Sequence, residues 1–210
     1  MKLVLASNNA AKLAELQGLF APLGLALVAQ GALGIGEADE PHATFIENAL
    51  AKARHAAAAS GCAAIADDSG LCVDALAGAP GVGSAHFAAL DIVAGEAREA
   101  LRRRQDAANN ALLLGRMRGR SDRAARFVST LVAVRHASDP EPLVATGRWT
   151  AVLLDEPRGS GGFGYDPLVF ISALGKTVAE LSPTEKNAAS HRALAAGQMV
   201  ALMRAAWPLG

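Results

Sequence analysis

Short apolar runs alternate with amphipathic stretches through the first third of the chain. "KLVLA" (residues 2–6) predicts a short buried strand. "SNNAAKLAELQGLFAPL" predicts a helix with Leu13, Leu16 and Phe20 at core spacing and Ser7 or Asn8 as its cap. "LALVA" returns as a second strand. "HATFIENALAKARHAAAAS" predicts a second helix with Ile46, Ala49, Leu50, Ala53 and Ala57 on one face. Thr44 and Glu47 stand at capping-box spacing at its start. "CAAIA" then predicts a buried strand that ends on Asp67-Asp68, turns through Ser69-Gly70 and continues as a short extended "LCVDAL".

Residues 90–120 read as helical and arginine-rich, with a break near Asn109-Asn110 and a solvated face. "ARFVSTLVAVRHA" and "PLVATGRWTAVLL" predict two strands joined at "SDPEP" as a hairpin. "GSGGFGYDPLVFI" is a glycine-rich loop entering a strand, and residues 182–207 predict one long closing helix. Strand-helix alternation first and antiparallel pairing later make an α/β fold with a mixed β-sheet flanked by helices. No repeat, linker or domain boundary interrupts residues 1–210, so a single domain is expected.

Half of the 210 residues are apolar, enough to bury a core. Lys+Arg and Asp+Glu both number 20, so no whole-protein field favours nucleic acid or anionic lipid. The run "LRRR" is matched by nearby acids and lacks interleaved aromatics. Cys62 and Cys72 are too few for a disulfide framework and suit buried thiols in a reducing cytosol. "LVLA" is too short for a signal-peptide core. The uncharged run 17–36 is broken by Pro22 and five glycines, so no membrane span is expected.

Several clusters carry chemistry. At "SNNAAK" a strand hands over to a helix, whose first N–H groups and dipole favour an anion, and Lys12 adds charge one turn in. Alone, that pattern reads better as an ordinary capped helix with a surface lysine. Glu40 precedes the second helix, and Asn48 and Lys52 share a face opposite its apolar stripe, which alone reads as solvated. Asp67-Asp68 stand where α/β sheets bind ligands, beyond a strand's carboxyl end. Mg²⁺ takes one or two carboxylates with waters and phosphates, and a carboxylate can orient a water as base. Phe163 offers a stacking face, and Asp166 can accept bonds from a ring edge, but a hairpin loop with one aromatic folded inward describes the segment equally well. Lys186, Ser190, His191 and Arg192 bring donors suited to a phosphate or a purine carbonyl. A Ser/His/Asp triad is rejected: Ser190 and His191 are helix neighbours about 100° apart, and no G-x-S-x-G elbow exists.

The ordered set is more specific than its parts. A [ST]-x-N-x-x-K helix start, then E-x-x-x-T-F-x-E-N-A-x-x-K-A, DDSGLxVDAL-x-G-x-PGV, GGFGYDP and K-N-x-x-SHR resembles the house-cleaning inosine/xanthosine triphosphate pyrophosphatase family over nearly the whole chain. The resemblance implies an elongated mixed sheet in two lobes with an active-site cleft between them. It implies a cytoplasmic homodimer that hydrolyses deaminated purine nucleoside triphosphates (ITP, dITP, XTP) to monophosphate and pyrophosphate with Mg²⁺. Carried onto this chain, Ser7, Asn8, Asn9, Ala10, Ala11 and Lys12 would hold the triphosphate. Glu40 and Asp68 would bind Mg²⁺, with Asp68 also the proton acceptor; Lys52 would neutralise phosphate and Ser69 touch substrate. Phe163, Gly164, Tyr165 and Asp166 would hold the base, and Lys186, His191 and Arg192 its 6-oxo edge or the nucleotide.

Three departures stand out: Gly83 and His86 where the family shows Tyr and Arg, Ala11 for a glycine, and a longer arginine-rich stretch over 94–110. A non-catalytic nucleotide sensor on this fold and a pyrophosphatase for other modified nucleotides stay open as alternatives.

Overall fold

The computed structural model describes residues 2–91 and 95–207; Ala94, at the head of the arginine-rich stretch, lies outside them, as does the side chain of Ala11. The strands are β1 (Lys2–Leu5), β2 (Ala26–Ala29), β3 (Ala63–Val73), β4 (Ala124–Val134), β5 (Leu143–Leu153), β6 (Val169–Ile171) and β7 (Lys176–Thr177). Among the described residues they form one sheet in the order β2-β1-β3-β4-β5-β6-β7. β1 is parallel to β2 and β3, whereas β6 is antiparallel to β5 and to β7, so the sheet is mixed as expected. β4 and β5 are a hairpin: Leu153 N–H donates to the Arg123 carbonyl, and Thr130 meets Thr146 further along. The helices are α1 (Ala10–Phe20), α2 (Phe45–Ser60), α3 (Arg98–Met117), α4 (Pro183–Ala189) and α5 (His191–Ala206).

The chain divides into two compact units. The first comprises Met1–Ser69, Val128–Arg148 and Asn187–Gly210. Its strands alternate faces, as a period of two dictates. Leu3, Leu5, Ile65, Leu131 and Ala133 join Leu16 and Phe20 of α1 and Met199 and Met203 of α5 in one core cluster. Val4, Ala6, Ala64, Ala66, Val132 and Val134 meet the small stripe Ala49, Ala53, Ala56 and Ala57 of α2 in another. Each large buried side chain contributes about 1.5–3 kcal/mol, so Leu16→Ala would cost about 2–5 kcal/mol. Gly147 lets the first turn of α5 approach β5, because a Cβ there would stand 2.0 Å from the His191 carbonyl oxygen. The second unit comprises Gly70–Phe127 and Trp149–Lys186, with Leu71, Val73, Leu113, Met117, Leu168, Val169 and Ile171 buried in it.

Several local expectations need correction. Asn9, not Ser7 or Asn8, caps α1: its Oδ1 accepts from Lys12 N–H at 3.2 Å, while Ser7 Oγ accepts from Asn9 N–H. Thr44 caps α2, but Glu47 completes no full capping box; its carboxylate takes the Thr44 hydroxyl instead. Ile46 is 49% exposed because the buried face of α2 is rotated toward Asn48, Lys52 and Ala56. α3 runs unbroken through Asn109-Asn110, because both amides find partners off the helix. The closing helix is two helices: Ser190 leaves helical geometry and caps α5 by accepting from Ala193 N–H.

Candidate active site

β3 does not stop at the Asp pair. It runs for 11 residues through Asp67, Asp68, Ser69 and Gly70, so the predicted turn is absent and the carboxylates lie within the strand. Gly70 answers a packing demand instead of a turn: a Cβ there would lie 2.4 Å from both the Gly81 carbonyl oxygen and Ser84 Oγ. Ser84 Oγ in turn accepts from Leu71 N–H. Because strand neighbours point to opposite faces, Asp67 and Ser69 share the face of Ile65. Asp68 shares the face of Ala64 and Ala66.

On the first face Asp67 and Arg192 are buried, and Lys12 and Glu15 are mostly covered. The Asp67 side chain has no solvent exposure and meets Lys12 Nζ at 2.9 Å and Arg192 Nε at 3.1 Å. It also accepts from the Ser129 hydroxyl at 2.7 Å and from Ser69 at 3.0 Å. Arg192 continues to Glu15 at 2.7 Å and to Ser69 Oγ at 3.0 Å. Burial alone would raise the Asp67 carboxyl, but Lys12, Arg192 and the Ser129 bond outweigh it and hold it well below the carboxylate range. Burial pulls the Lys12 ammonium down, with Asp67 opposing.

On the other face the balance reverses. Lys52 Nζ lies 2.8 Å from Asp68 Oδ1 and 2.8 Å from Glu40 Oε2. Asn48 places Glu40 there, accepting from His42 N–H at 3.0 Å and donating to the His42 carbonyl at 3.2 Å. Asn48 and Lys52, which alone read as solvated, are both buried. Burial pushes the Asp68 carboxyl up to about 6, with Lys52 pulling down and Glu40 adding to the rise. Burial would raise Glu40 too, but Lys52 brings it below its ordinary value. Lys52 is raised: desolvation is outweighed by Asp68 and Glu40.

Asp68 Oδ2 is buried with no hydrogen-bond donor among the described residues. An acceptor so placed, beside a second carboxylate that is half-exposed, fits a hard divalent cation taking one or two carboxylates and completing its shell with water and phosphate. No group of three or more His, Cys, Asp or Glu side chains that could hold a metal occurs among the described residues.

In the second unit the glycine-rich loop is tied to itself. Asp166 Oδ2 accepts from Phe163 N–H at 3.0 Å and from Lys186 Nζ at 3.0 Å. Gly162 has φ +72°, and a Cβ there would lie 2.1 Å from Asp166 Oδ2, so the loop tolerates only glycine. The Phe163 ring has Lys186 Nζ at 4.7 Å and the Arg102 guanidinium at 5.1 Å from its centroid. Tyr165 is the aromatic that folds inward, its hydroxyl donating to the Ser84 carbonyl at 2.9 Å. Burial, then Asp106, raises that hydroxyl.

The first unit thus gathers Lys12, Lys52, Ser69, Arg192 and Glu40 around the Asp pair, and the second gathers Phe163, Asp166 and Lys186. Asn8 donates to Glu37 at 3.3 Å, and His191 is buried at the first position of α5. Lys186 and Ser190 do not share a helix, since α4 ends at Ala189. Asp74 pairs with Arg126, away from this set. Sequence reasoning missed Glu15 and Ser129. Ser129-Thr130, polar and buried inside an apolar strand, was the available signal; Glu15 gave none.

The Ham1 family model matches residues 3–202. A dITP/XTP pyrophosphatase of Leptothrix cholodnii is 70% identical over 211 residues, with 100% of each chain covered. One of Methylibium petroleiphilum is 68% identical over 207 residues, covering 99% of each. Among solved structures, a HAM1 protein from Coxiella burnetii superposes with a TM-score of 0.86 at 38% identity, covering 98% of this chain and 100% of that one. With the model matched along nearly its whole length and relatives this similar end to end, the chain belongs to the Ham1 family.

Proposed function

We propose that the protein hydrolyses the deaminated purine nucleoside triphosphates ITP, dITP and XTP at the α–β phosphoanhydride bond, releasing the monophosphate and pyrophosphate. The names of its relatives support the substrate class. The observation that carries the chemistry is the Asp68–Lys52–Glu40 cluster with its unsatisfied Asp68 Oδ2.

Asp68 and Glu40 would hold Mg²⁺, which when bound supplies Lewis-acid stabilisation of phosphate charge. Asp68, buried at the end of the Lys52–Glu40 cluster with Oδ2 lacking a donor among the described residues, serves as the base. A water oxygen bonds to the α-phosphorus, the bond to the bridging oxygen breaks, pyrophosphate leaves, and Asp68 takes the proton. Lys52 neutralises charge on the phosphates, and the helix start from Ser7 to Lys12 holds the triphosphate, its dipole favouring an anion. Ser69 touches the substrate. Phe163 to Asp166 hold the base, and Lys186, His191 and Arg192 read its 6-oxo edge or hold the nucleotide. An adenine amine would set a donor against these donors where a 6-oxo group sets an acceptor.

In this reading residues 1–210 work as one functional domain, in a cytoplasmic homodimer that clears damaged purines from the nucleotide pool. No helix among the described residues is long and apolar enough to cross a membrane. Pyrophosphate release from ITP, dITP, XTP, ATP and GTP, with and without Mg²⁺, tests it. ITP and XTP should be cleaved far faster than ATP, and only with the metal. Equal rates for ATP would remove the base preference. Turnover surviving in Asp68→Asn would remove Asp68 as base.

A further inference from the structure

The arginine-rich helix α3 supplies no group to the phosphates, yet one of its faces grips the glycine-rich loop. Residues 102, 106 and 110 recur at i, i+4 and i+8, which aligns them along one side of a helix. The Arg102 guanidinium lies 5.1 Å from the Phe163 ring centroid. Asp106 Oδ2 accepts from Gly164 N–H at 2.9 Å. Asn110 Nδ2 donates to the Gly164 carbonyl at 2.8 Å and to the Asp106 carbonyl at 2.9 Å. Both backbone groups of Gly164 are therefore held by α3 side chains. Gly164 sits at φ +62° with open space beyond it, so packing does not fix its conformation.

An adjacent stripe anchors the helix itself. Asn109 Nδ2 donates to the carbonyls of Ser84 and Ala85 at 3.2 and 3.1 Å, and its Oδ1 accepts from Ala88 N–H at 2.9 Å. Gln105 donates to the Ala88 carbonyl at 2.8 Å. Tyr165 closes the frame through the same Ser84 carbonyl. The helix is thus fixed by residues 105 and 109 and spends residues 102, 106 and 110 on the loop.

We propose that the Arg102–Asp106–Asn110 stripe of α3 positions the Phe163-Gly164 loop for the purine, making these three residues determinants of base binding. The inference rests on the assignment of that loop to the base. Two glycines flank Phe163; Asp166 and Lys186 hold its N–H and ring, but the Gly164 peptide that follows is held by α3, and ordering it on binding would cost free energy. Arg102 keeps a cation on the ring, and Asp106 and Asn110 fix the peptide that follows it. None of the three needs to touch the reacting phosphorus, so their removal weakens ground state and transition state alike.

The test is steady-state kinetics on ITP with the full-length protein. Asp106→Ala deletes the acceptor for Gly164 N–H. It should raise KM about tenfold or more while kcat stays within about threefold. Asp106→Asn keeps an acceptor oxygen there and should return KM to within about twofold of the parent. Arg102→Met should raise KM about two- to fivefold, and Arg102→Lys should do so less. Hydrogen exchange at the Gly164 amide should quicken in Asp106→Ala and not in Asp106→Asn. A parent that turns over ITP, with Asp106→Ala unchanged in KM or lowered only in kcat, overturns the role given to α3. No rescue by Asp106→Asn overturns it as well. A parent that cleaves no 6-oxo purine refutes the proposed activity, and unchanged exchange at Gly164 then overturns the loop hold independently.

Discussion

Asp67 and Asp68 are sequence neighbours, and the same substitution should have opposite consequences in them. The Asp67 cluster holds two anions, Asp67 and Glu15, and two cations, Lys12 and Arg192, all substantially buried. Asp67→Asn leaves it with one net positive charge beside the fully buried position 67. Uncompensated buried charge costs about 3–5 kcal/mol, and because Asn still accepts from Ser129 the lower end, about 3 kcal/mol, is expected. That is a large share of the roughly 5–15 kcal/mol a domain has. The Asp68 cluster starts with two anions, Asp68 and Glu40, on one cation, Lys52. Asp68→Asn brings it to neutrality and leaves Lys52 paired with Glu40, so the cost should stay within about 1 kcal/mol. Guanidinium denaturation at pH 7, followed by far-UV circular dichroism, measures both, provided the slopes agree. The same samples give pyrophosphate release, which should vanish in Asp68→Asn although that protein stays folded. Equal destabilisation by the two substitutions, or a larger loss at Asp68, would refute the division of β3 into a structural and a reactive face.

Gly147→Ala should destabilise by at least about 3 kcal/mol, since the new methyl would collide with the His191 carbonyl and Ala195 N–H, both backbone and unable to move aside cheaply; the denaturation midpoint reports it. Tyr165→Phe should cost only about 0.5–1 kcal/mol, because Asn109 still donates to the Ser84 carbonyl; thermal melts check this. Asp139 is buried and accepts from Arg135 N–H, from the Arg135 guanidinium and from Glu141 N–H, and those bonds, Arg135 first, hold its carboxyl well below the ordinary value. A depressed carboxyl stabilises the fold above the unfolded value of about 3.9 and loses that contribution as pH falls toward the folded one. Asp139→Asn should therefore lower stability by about 2 kcal/mol at pH 6, with Arg135's exposure trimming the ion pair's part, and by much less near pH 2; urea melts across that range decide it.

The strand-helix start of the fold was legible because β1, α1 and β2 each follow one hydrophobic period, and α2 is helical by pattern although its buried face is turned from that pattern. So was the later hairpin, where "SDPEP" separates two alternating runs. Tertiary packing hid the rest. Asp67-Asp68-Ser69-Gly70 is turn chemistry by composition, yet partners on both sheet faces and the close approach of Gly81 keep it extended. Asn109-Asn110 looks like a helix breaker, but each amide has carbonyls to meet outside α3. Lys52 and Asn48 sit on the polar side of α2 and looked solvated; the segment before the helix folds back over that side and buries them. Residue types at the site were readable from the ordered motifs. Which of them face each other was not, since that depends on strand parity in a segment that looked like a loop.

Strand parity explains why two adjacent carboxylates are needed where one would make a turn. A reactive carboxylate must keep an atom unsatisfied, and Asp68 does: its Oδ2 is buried without a donor among the described residues. Such a group is a poor structural anchor, because its partners undercompensate it. Asp67, one residue earlier and on the opposite face, has the complementary environment: two cations, two hydroxyls and no exposure. Rigidity at Asp67 limits movement of Asp68 through a single peptide plane, with α1, β4 and α5 all contributing to the hold. Residues that look like ligands for an anion from sequence, Lys12 and Arg192, are in this structure engaged with Asp67. Their reach to a nucleotide therefore has to compete with, or be shared with, a buried carboxylate. That competition predicts that Arg192→Lys, which retains the charge but not the three-way fork to Asp67, Glu15 and Ser69, loosens Asp68 and lowers kcat as well as weakening substrate binding.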